Sequence, residues 1–115
     1  MEKDEIWKKI WHNEKYEAEY WSGKIRNSNT GFILNPRQKK SGYLYVKLTC
    51  SNHKTREYLV HRLVAQTFHR NRKHHKLVVN HKNKNKIING ANNLEWLTHK
   101  QNNYHKHNNK QYLNY

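Results

Sequence analysis

The chain has 115 residues, of which 34% are hydrophobic and 12% aromatic, and its formal net charge is +15. This length fits one domain with a modest core, because a short chain buries only about two-thirds of the surface that its unfolded form exposes. The single cysteine, Cys50, excludes an intrachain disulfide and a four-cysteine zinc site. No apolar run approaches the roughly 18–20 residues of a membrane span, and the N-terminus lacks a secretory signal.

These properties predict an intracellular, soluble protein, acting in the cytoplasm or nucleus of a host if the source is viral. Aliphatic side chains are few, whereas four Trp and eight Tyr are present. Because each aromatic ring buries a large area, we expect a thin aromatic core. A loosely ordered N-terminus and tail are expected around it.

The charges are distributed unevenly along the chain. Six of the eight acids precede residue 20, so residues 20–115 carry 19 basic side chains against two acids, Glu57 and Glu95. A field of this sign attracts polyanions and speeds their capture, which makes nucleic acid the expected partner. An AT-rich genome would also raise the lysine content, but it would not remove the acids.

The first half of the chain predicts a hairpin followed by a short helix. Residues 4–34 give few signals apart from a turn at 28–31 (SNTG), and a basic loop is expected at 35–42. Tyr43–Leu48 alternates as a strand does, and residues 58–60 return as a second strand after a polar turn. Apolar residues at helical spacing then predict a helix from His61 to about His69. A basic loop should follow at residues 70–76.

The second half predicts two more strands. Leu77–Val79 is a short buried strand that leads directly into Asn80-His81. A polar loop rich in Lys, Asn and Gly covers residues 82–93, and residues 94–97 form another apolar run. Thr98 and Gln101 have the spacing of a capping box, so a helix should begin there and carry Asn102.

This order of elements suits metal-assisted phosphodiester hydrolysis. A hairpin packed on a helix can bring His81 and Asn102 to one side of a groove. A histidine near its ordinary pKa of about 6.5 can take a proton from water at neutral pH. A divalent cation can bind the scissile phosphate and stabilise the charge on the leaving oxygen, and amide oxygens are suitable ligands for Mg²⁺ or Mn²⁺.

Three motifs resemble those of the HNH homing endonucleases of bacteriophage introns and large DNA viruses. They are HRLVAQTF at 61–68, VVNHK at 78–82 and NNLEWLT at 92–98. The resemblance runs over about residues 42–103, and a weaker one, at EIWK (5–8) and the SNTG turn, is to a small module found N-terminal to such nucleases.

The resemblance implies an α+β protein with a ββα-metal (His-Me finger) nuclease core, preceded by a β-hairpin and a short helix. It implies a nuclease-associated module at residues 1–41, the HNH nuclease domain at 42–106 and a polar tail at 107–115. The implied activity is metal-dependent endonucleolytic hydrolysis or nicking of double-stranded DNA, as a homing-type or free-standing mobile-element nuclease. The expected cofactor is Mg²⁺ or Mn²⁺, with no small-molecule cofactor and no membrane partner.

The resemblance also implies residue roles. His81 matches the general base that activates water, and Asn93 matches the residue that braces the loop and orients the histidine. Asn80 and Asn102 match the two metal ligands. Members of the family often carry Asp at the position of Asn80. Here both implied ligands are asparagines, so both are neutral. The one acid nearby in sequence is Glu95, whose direction the sequence does not give.

Other assignments stay open at this stage. Asn103 competes with Asn102, and His99 and His105 could touch the metal or phosphate but fit a solvated helix face better. His61 fits packing or capping better than catalysis. Seven cationic residues are candidates for contacts with the DNA backbone, namely Arg62, Arg70, Arg72, Lys82, Lys84, Lys86 and Lys100.

Two other functions remain possible from the sequence. A catalytically weak or inactive DNA-binding protein derived from such a nuclease is favoured by Asn80 and by the short length. An RNA-binding or ribosome-associated basic protein ranks third, because no RNA-binding aromatic strand signature is present.

Overall fold

The computed structural model describes residues 3–107, with side chains up to Tyr104, and its α+β architecture is the one predicted. The chain opens with an antiparallel sheet of three strands in sequence order, β1 (Trp7–Ile10), β2 (Asn13–Glu19) and β3 (Ile25–Asn27). The prediction of a loosely ordered N-terminus is therefore wrong from Trp7 onward. The tail predicted beyond Lys106 lies almost entirely outside the described residues.

A buried carboxylate explains why the N-terminal segment is ordered. The side chain of Glu19 is 2% exposed and accepts hydrogen bonds from the backbone N–H groups of Ile6, Trp21 and Ser22 and from the Ser22 hydroxyl. Burial alone raises the pKa of this carboxyl, but the four hydrogen bonds to its charged form outweigh burial and lower the pKa. Glu19 thus ties the start of the chain to the turn after β2.

The predicted hairpin and helix form the middle of the chain. A second three-stranded sheet consists of β4 (Arg37–Gln38), β5 (Leu44–Thr49) and β6 (Thr55–Leu59), and α1 (Val60–Phe68) follows without a break. The basic loop predicted at 35–42 contains β4, which pairs with β5 in a register that the sequence pattern does not reveal.

The predicted strand–loop–strand–helix order of the last third is confirmed. The antiparallel strands β7 (Leu77–His81) and β8 (Leu94–Thr98) form a two-stranded sheet, and α2 (His99–His107) begins directly after it. The capping box is present, since Gln101 N–H donates to the Thr98 hydroxyl oxygen (3.1 Å) and Thr98 N–H donates to the Gln101 side-chain oxygen (2.9 Å). A 3₁₀ turn, His74–Lys76, closes the predicted basic loop ahead of β7.

One core joins all these elements, and it is mainly aliphatic. Its buried side chains come from both three-stranded sheets, from α1 and from β7 and β8: Ile10, Tyr16, Ala18, Ile25, Val46, Leu48, Val60, Leu63, Val64, Ala65, Val79, Ala91 and Leu94. The prediction of an aromatic core is wrong. The larger rings, such as Phe68 and Trp96, are only partly buried and pack around the aliphatic cluster. Their polar atoms need partners, as when Trp96 Nε1–H donates to the His69 carbonyl. Among the described residues, no helix is long and apolar enough to cross a bilayer.

The N-terminal sheet also contacts the long loop, residues 82–93, that joins β7 to β8. Ala91 N–H donates to the carbonyl of Tyr20 at 2.6 Å. Gly90 lies so close to the backbone of Trp21 that a Cβ atom there would collide with the Trp21 carbonyl. Gly23, at φ 73°, lies equally close to the backbone of Asn89. The turn after β2 therefore fits against the end of the long loop only because both glycines lack side chains.

Replacing Gly90 with alanine tests this contact. The backbone at Gly90 (φ −62°, ψ 145°) is open to any residue, so the substitution acts through the collision alone. We expect a loss of about 1–3 kcal/mol in the free energy of unfolding, measured by urea denaturation, together with shifted His81 signals in NMR spectra.

Gly31→Ala is the matched control, because Gly31 has φ 75° with open space around it. It should cost about 1 kcal/mol through backbone strain and leave the His81 signals in place. A Gly90→Ala protein as stable as the wild type would contradict the close contact.

Candidate active site

The hairpin of β7 and β8 presents Asn80 and His81 on opposite faces. Side chains alternate along a strand, so Val79 and His81 share the buried face. Asn80 lies on the other face, directly across from Glu95 in the β7–β8 register. The helix α2, which carries the half-buried Asn102, packs against both strands.

Two further rings hold His81 in place. His61, in the first turn of α1, lies with its ring centroid 5.0 Å from that of His81. Tyr43, just before β5, stacks on His81 with ring centroids 5.9 Å apart and tilts against His61 at 4.8 Å. Two separate segments, α1 and the residue before β5, thus contribute rings to the surroundings of His81, which is 5% exposed.

A hydrogen bond to Asn89 determines which nitrogen of His81 holds the proton. His81 Nε2 lies 2.7 Å from Asn89 Oδ1, and both side chains are buried. Because an amide oxygen only accepts, Nε2 carries the hydrogen, and Nδ1 holds the lone pair of the neutral ring. Burial, with a smaller contribution from the charge of Lys86, lowers the pKa of His81, while the Asn89 hydrogen bond acts in the opposite direction. At neutral pH the ring is therefore an uncharged base.

His61 is a buried, neutral neighbour of His81. Burial, with smaller contributions from His81 and Arg62, lowers its pKa to about 3, so it stays neutral beside its neighbour. Its Nδ1 is buried and has no hydrogen-bond partner among the described residues. The residue before α1 makes no side-chain cap, and His61 packs rather than caps, which is one of the two structural roles predicted for it.

Asn93 contacts the long loop rather than His81. Its side-chain nitrogen donates to Asn83 Oδ1 (3.0 Å) and to the Ile88 carbonyl (2.8 Å), and its oxygen accepts from Asn83 N–H (3.2 Å). These contacts match the predicted bracing of the loop. The side chain that directly orients His81 is Asn89, which the sequence analysis did not single out.

Asn89 and Tyr43 were missed for different reasons. Asn89-Gly90 is a turn dipeptide inside a loop with many asparagines, so only the turn signal distinguishes it. Tyr43 matches the alternating pattern of a strand and carries no separate signal. Both contact His81 from elsewhere in the fold.

Of the two proposed metal ligands, Asn80 lies beside a carboxylate. Asn80 Nδ2 donates to Glu95 Oε2 at 2.9 Å, so Glu95 faces Asn80 across the hairpin. Within residues 3–104, no group of three His, Cys, Asp or Glu side chains is placed to hold a metal ion. Asn103 and His99 are exposed on α2, and the side chain of His105 lies outside the described residues.

The cations proposed for DNA contact fall into two groups. Some are held by aromatic rings: the Arg62 guanidinium lies 5.6 Å from the Trp96 ring, and that of Arg70 lies 5.2 Å from the Trp11 ring. Lys86 donates to the Ser41 carbonyl at 2.7 Å and lies 4.8 Å above the Tyr43 ring, so it joins the long loop to the segment beside His81. The second group consists of Arg72, Lys82, Lys84 and Lys100, which are exposed, as are Arg70 and Lys86 of the first group.

The chain is similar to known proteins in both sequence and structure. No model of a known protein family matches the chain. Two proteins of Acanthamoeba polyphaga mimivirus, each described as an uncharacterized HNH endonuclease, are 43% identical over 86% of this chain and 41% identical over 90% of it. The structure also matches that of the HNH homing endonuclease I-HmuI, reported for its DNA binding and cleavage, with a TM-score of 0.80 and 31% sequence identity.

Over most of its length the chain is similar to HNH endonucleases. It spans 29% and 26% of the lengths of the two viral relatives, and the match to I-HmuI covers 91% of this chain and 59% of that one. A match over 91% of the chain cannot leave out the N-terminal sheet, so the likeness extends beyond the HNH motif itself. The predicted recognition and fold class are both confirmed.

The low pKa of His61 makes the stability of the protein depend on pH. Because its pKa lies near 3 in the folded state, against 6.5 ordinarily, its contribution is fully present above pH 6.5 and is lost as the pH falls toward 3. Between pH 7 and pH 5 the free energy of unfolding should fall by about 2 kcal/mol from this group. Urea unfolding of His61→Gln at both pH values should give a smaller fall, whereas the exposed His75→Gln should behave as the wild type. An unchanged fall in His61→Gln would contradict the assignment.

The hydrogen bond to Asn89 can be tested through the protonation of His81. In ¹⁵N NMR spectra at neutral pH, His81 should be the tautomer protonated at Nε2. Asn89→Ala leaves that N–H buried without a partner, so the tautomer preference should weaken and the protein should lose about 1–3 kcal/mol of stability. Asn92→Ala, an exposed position in the same loop, should change neither. An unaltered tautomer in Asn89→Ala would rule out Asn89 as the orienting residue.

Proposed function

We propose that this chain hydrolyses phosphodiester bonds of double-stranded DNA as a metal-dependent HNH endonuclease domain. The observation that carries the proposal is the environment of His81. A buried, neutral imidazole at the end of β7 has one nitrogen occupied by Asn89 and the other left with its lone pair. Likeness to HNH endonucleases and the excess of basic residues support DNA as the substrate.

In the proposed reaction His81 Nδ1 takes a proton from a water molecule. The water oxygen forms a bond to the phosphorus, and the bond from phosphorus to the leaving sugar oxygen breaks, so that oxygen must be protonated or stabilised as it departs. Asn89, His61 and Tyr43 keep the imidazole in one orientation, which removes the entropic cost of positioning the base. A positioned general base contributes about 10²–10⁴-fold to a rate.

The side chains on α2 and β7 fit a hard divalent cation, Mg²⁺ or Mn²⁺. The amide nitrogen of Asn80 is turned toward Glu95, so its oxygen is the atom left for a ligand. Asn80 and Asn102 would hold the ion, with phosphate oxygens of the DNA filling the remaining positions. When bound, such an ion stabilises negative charge on the phosphate and on the leaving oxygen.

We propose further that the exposed basic residues position the DNA without reading its sequence. Four exposed basic residues lie before, within or after the β7–β8 hairpin in the sequence, namely Arg72, Lys82, Lys84 and Lys100. Such cations bind phosphates whatever the base sequence. A homing-type or free-standing mobile-element role fits the named relatives, and such an enzyme acts inside the cell, in the cytoplasm or nucleus of a host. The assignment of residues 1–41 to a nuclease-associated module, residues 42–106 to the nuclease domain and 107–115 to a tail is part of the same proposal.

Cleavage of supercoiled plasmid in Mg²⁺ and in Mn²⁺ tests this function. The wild-type protein should convert the plasmid to nicked or linear forms. His81→Ala should lower the rate about 10²–10⁴-fold while binding duplex DNA as tightly as the wild type in a gel-shift assay. His75→Ala, which alters an exposed histidine, should cut normally.

Two results would overturn the proposal in different ways. A wild-type protein that leaves plasmid intact with either metal over a range of pH, yet binds duplex DNA, would be a DNA-binding protein only. Normal cutting by His81→Ala would remove His81 as the base.

A further inference from the structure

Glu95 is a carboxylate that lies directly beside a proposed metal ligand. Asn80 and Glu95 are direct partners in the β7–β8 register, and both side chains are half-buried. Side chains opposite each other on neighbouring strands lie within reach of direct contact. Here the contact is a hydrogen bond from Asn80 Nδ2 to Glu95 Oε2 of 2.9 Å.

This hydrogen bond determines which atom Asn80 presents to a ligand. A free asparagine can turn either its nitrogen or its oxygen outward. A carboxylate only accepts hydrogen bonds, so it holds the nitrogen and directs the oxygen away from itself. Among the described residues, the Asn80 oxygen has no hydrogen-bond partner, which leaves it available to a cation.

The charge of Glu95 is not neutralised within the described part of the chain. The ion pairs there are Arg26–Glu17 and Lys39–Glu57. Glu95 is one of only two acids after residue 19 and is surrounded in sequence by an excess of Lys and Arg. Within residues 3–104, no Lys or Arg side chain forms an ion pair with it. Among these residues, the Glu95 carboxylate therefore faces the Asn80 amide rather than a cation.

We infer that Glu95 is a positioning residue, which orients the Asn80 oxygen toward the metal and supplies, through the Asn80 amide, the negative charge that two neutral ligands lack. This inference rests on the proposed function. A carboxylate that accepts from the N–H side of an amide draws positive charge to that side and increases the electron density on the amide oxygen. Groups that hydrogen-bond to metal ligands orient them and strengthen their binding, and losing such a group costs about 10–100-fold in metal affinity.

The test measures metal binding rather than cleavage. Electron paramagnetic resonance of free Mn²⁺ gives the Mn²⁺ affinity of each variant. Every titration contains the same uncut DNA duplex at a saturating concentration. Glu95→Gln keeps an oxygen that can accept from Asn80 but removes the charge, and it should bind Mn²⁺ about 10-fold more weakly. Glu95→Ala also frees the amide to turn, and its affinity should fall about 100-fold.

Exchanging the two groups gives the sharpest variant. Asn80→Asp with Glu95→Gln keeps one amide and one carboxylate in the same pair, with the charge now on the ligand itself. This double variant should bind Mn²⁺ at least as tightly as the wild type. Glu57→Gln is the matched control, because Glu57 is the other acid after residue 19 and is exposed; its Mn²⁺ affinity should equal that of the wild type.

The outcomes separate this inference from the proposed function. If Glu95→Gln and Glu95→Ala melt at a lower temperature but bind Mn²⁺ as the wild type does, Glu95 is a purely structural residue. That result would overturn the inference even if the wild type cuts DNA. A double variant that binds as weakly as Glu95→Gln would also overturn it. A wild type that neither binds Mn²⁺ with DNA nor cuts plasmid would overturn the proposed function and the inference together.

Discussion

The hydrogen bond between His81 and Asn89 depends on contacts between the N-terminal sheet and the loop that carries Asn89. Asn89 is held because the end of the long loop fits against the turn after β2, and that fit requires Gly23 and Gly90. Ala91 joins the same loop to two other segments, through its N–H to Tyr20 and through its carbonyl to the ring of His69 at 2.6 Å. The N-terminal sheet is thus part of what positions the imidazole, because the turn after β2 packs against residues 89–91, the buried end of the loop.

Several of the few acids of this protein have defined partners in the structure. Glu19 is buried and anchors the N-terminal strand, while Glu17 and Glu57 pair with single cations on the sheets. Glu95 is the acid beside a proposed ligand. Asp4, Glu5 and Glu14 are exposed near the N-terminus, so the excess of positive charge lies after residue 19, where Glu57 and Glu95 are the two acids.

The elements around the HNH motifs could be predicted because their signals are local. The alternation of Tyr43–Leu48, the helical spacing after His61 and the capping box at Thr98 each require only a few neighbouring residues. The place of His81 at the end of a strand followed from the same reasoning. The N-terminal sheet was not predicted, because its strands are ordered by Glu19, whose partners are the backbone of Ile6 and of the following turn. Nothing in the pattern of β1 marks it as a strand.

The sequence by itself predicted the order of strands and helix in the last third, the likeness to HNH endonucleases and the basic character, and it singled out His81 as the candidate general base. Only the tertiary structure decided which groups surround it. Asn89, His61 and Tyr43 reach His81 from three other segments, and Glu95 reaches Asn80 across the hairpin. The physical reason is that periodicity and capping are properties of a short stretch, whereas the protonated nitrogen of a histidine and the direction of an amide are decided by groups that only folding brings together.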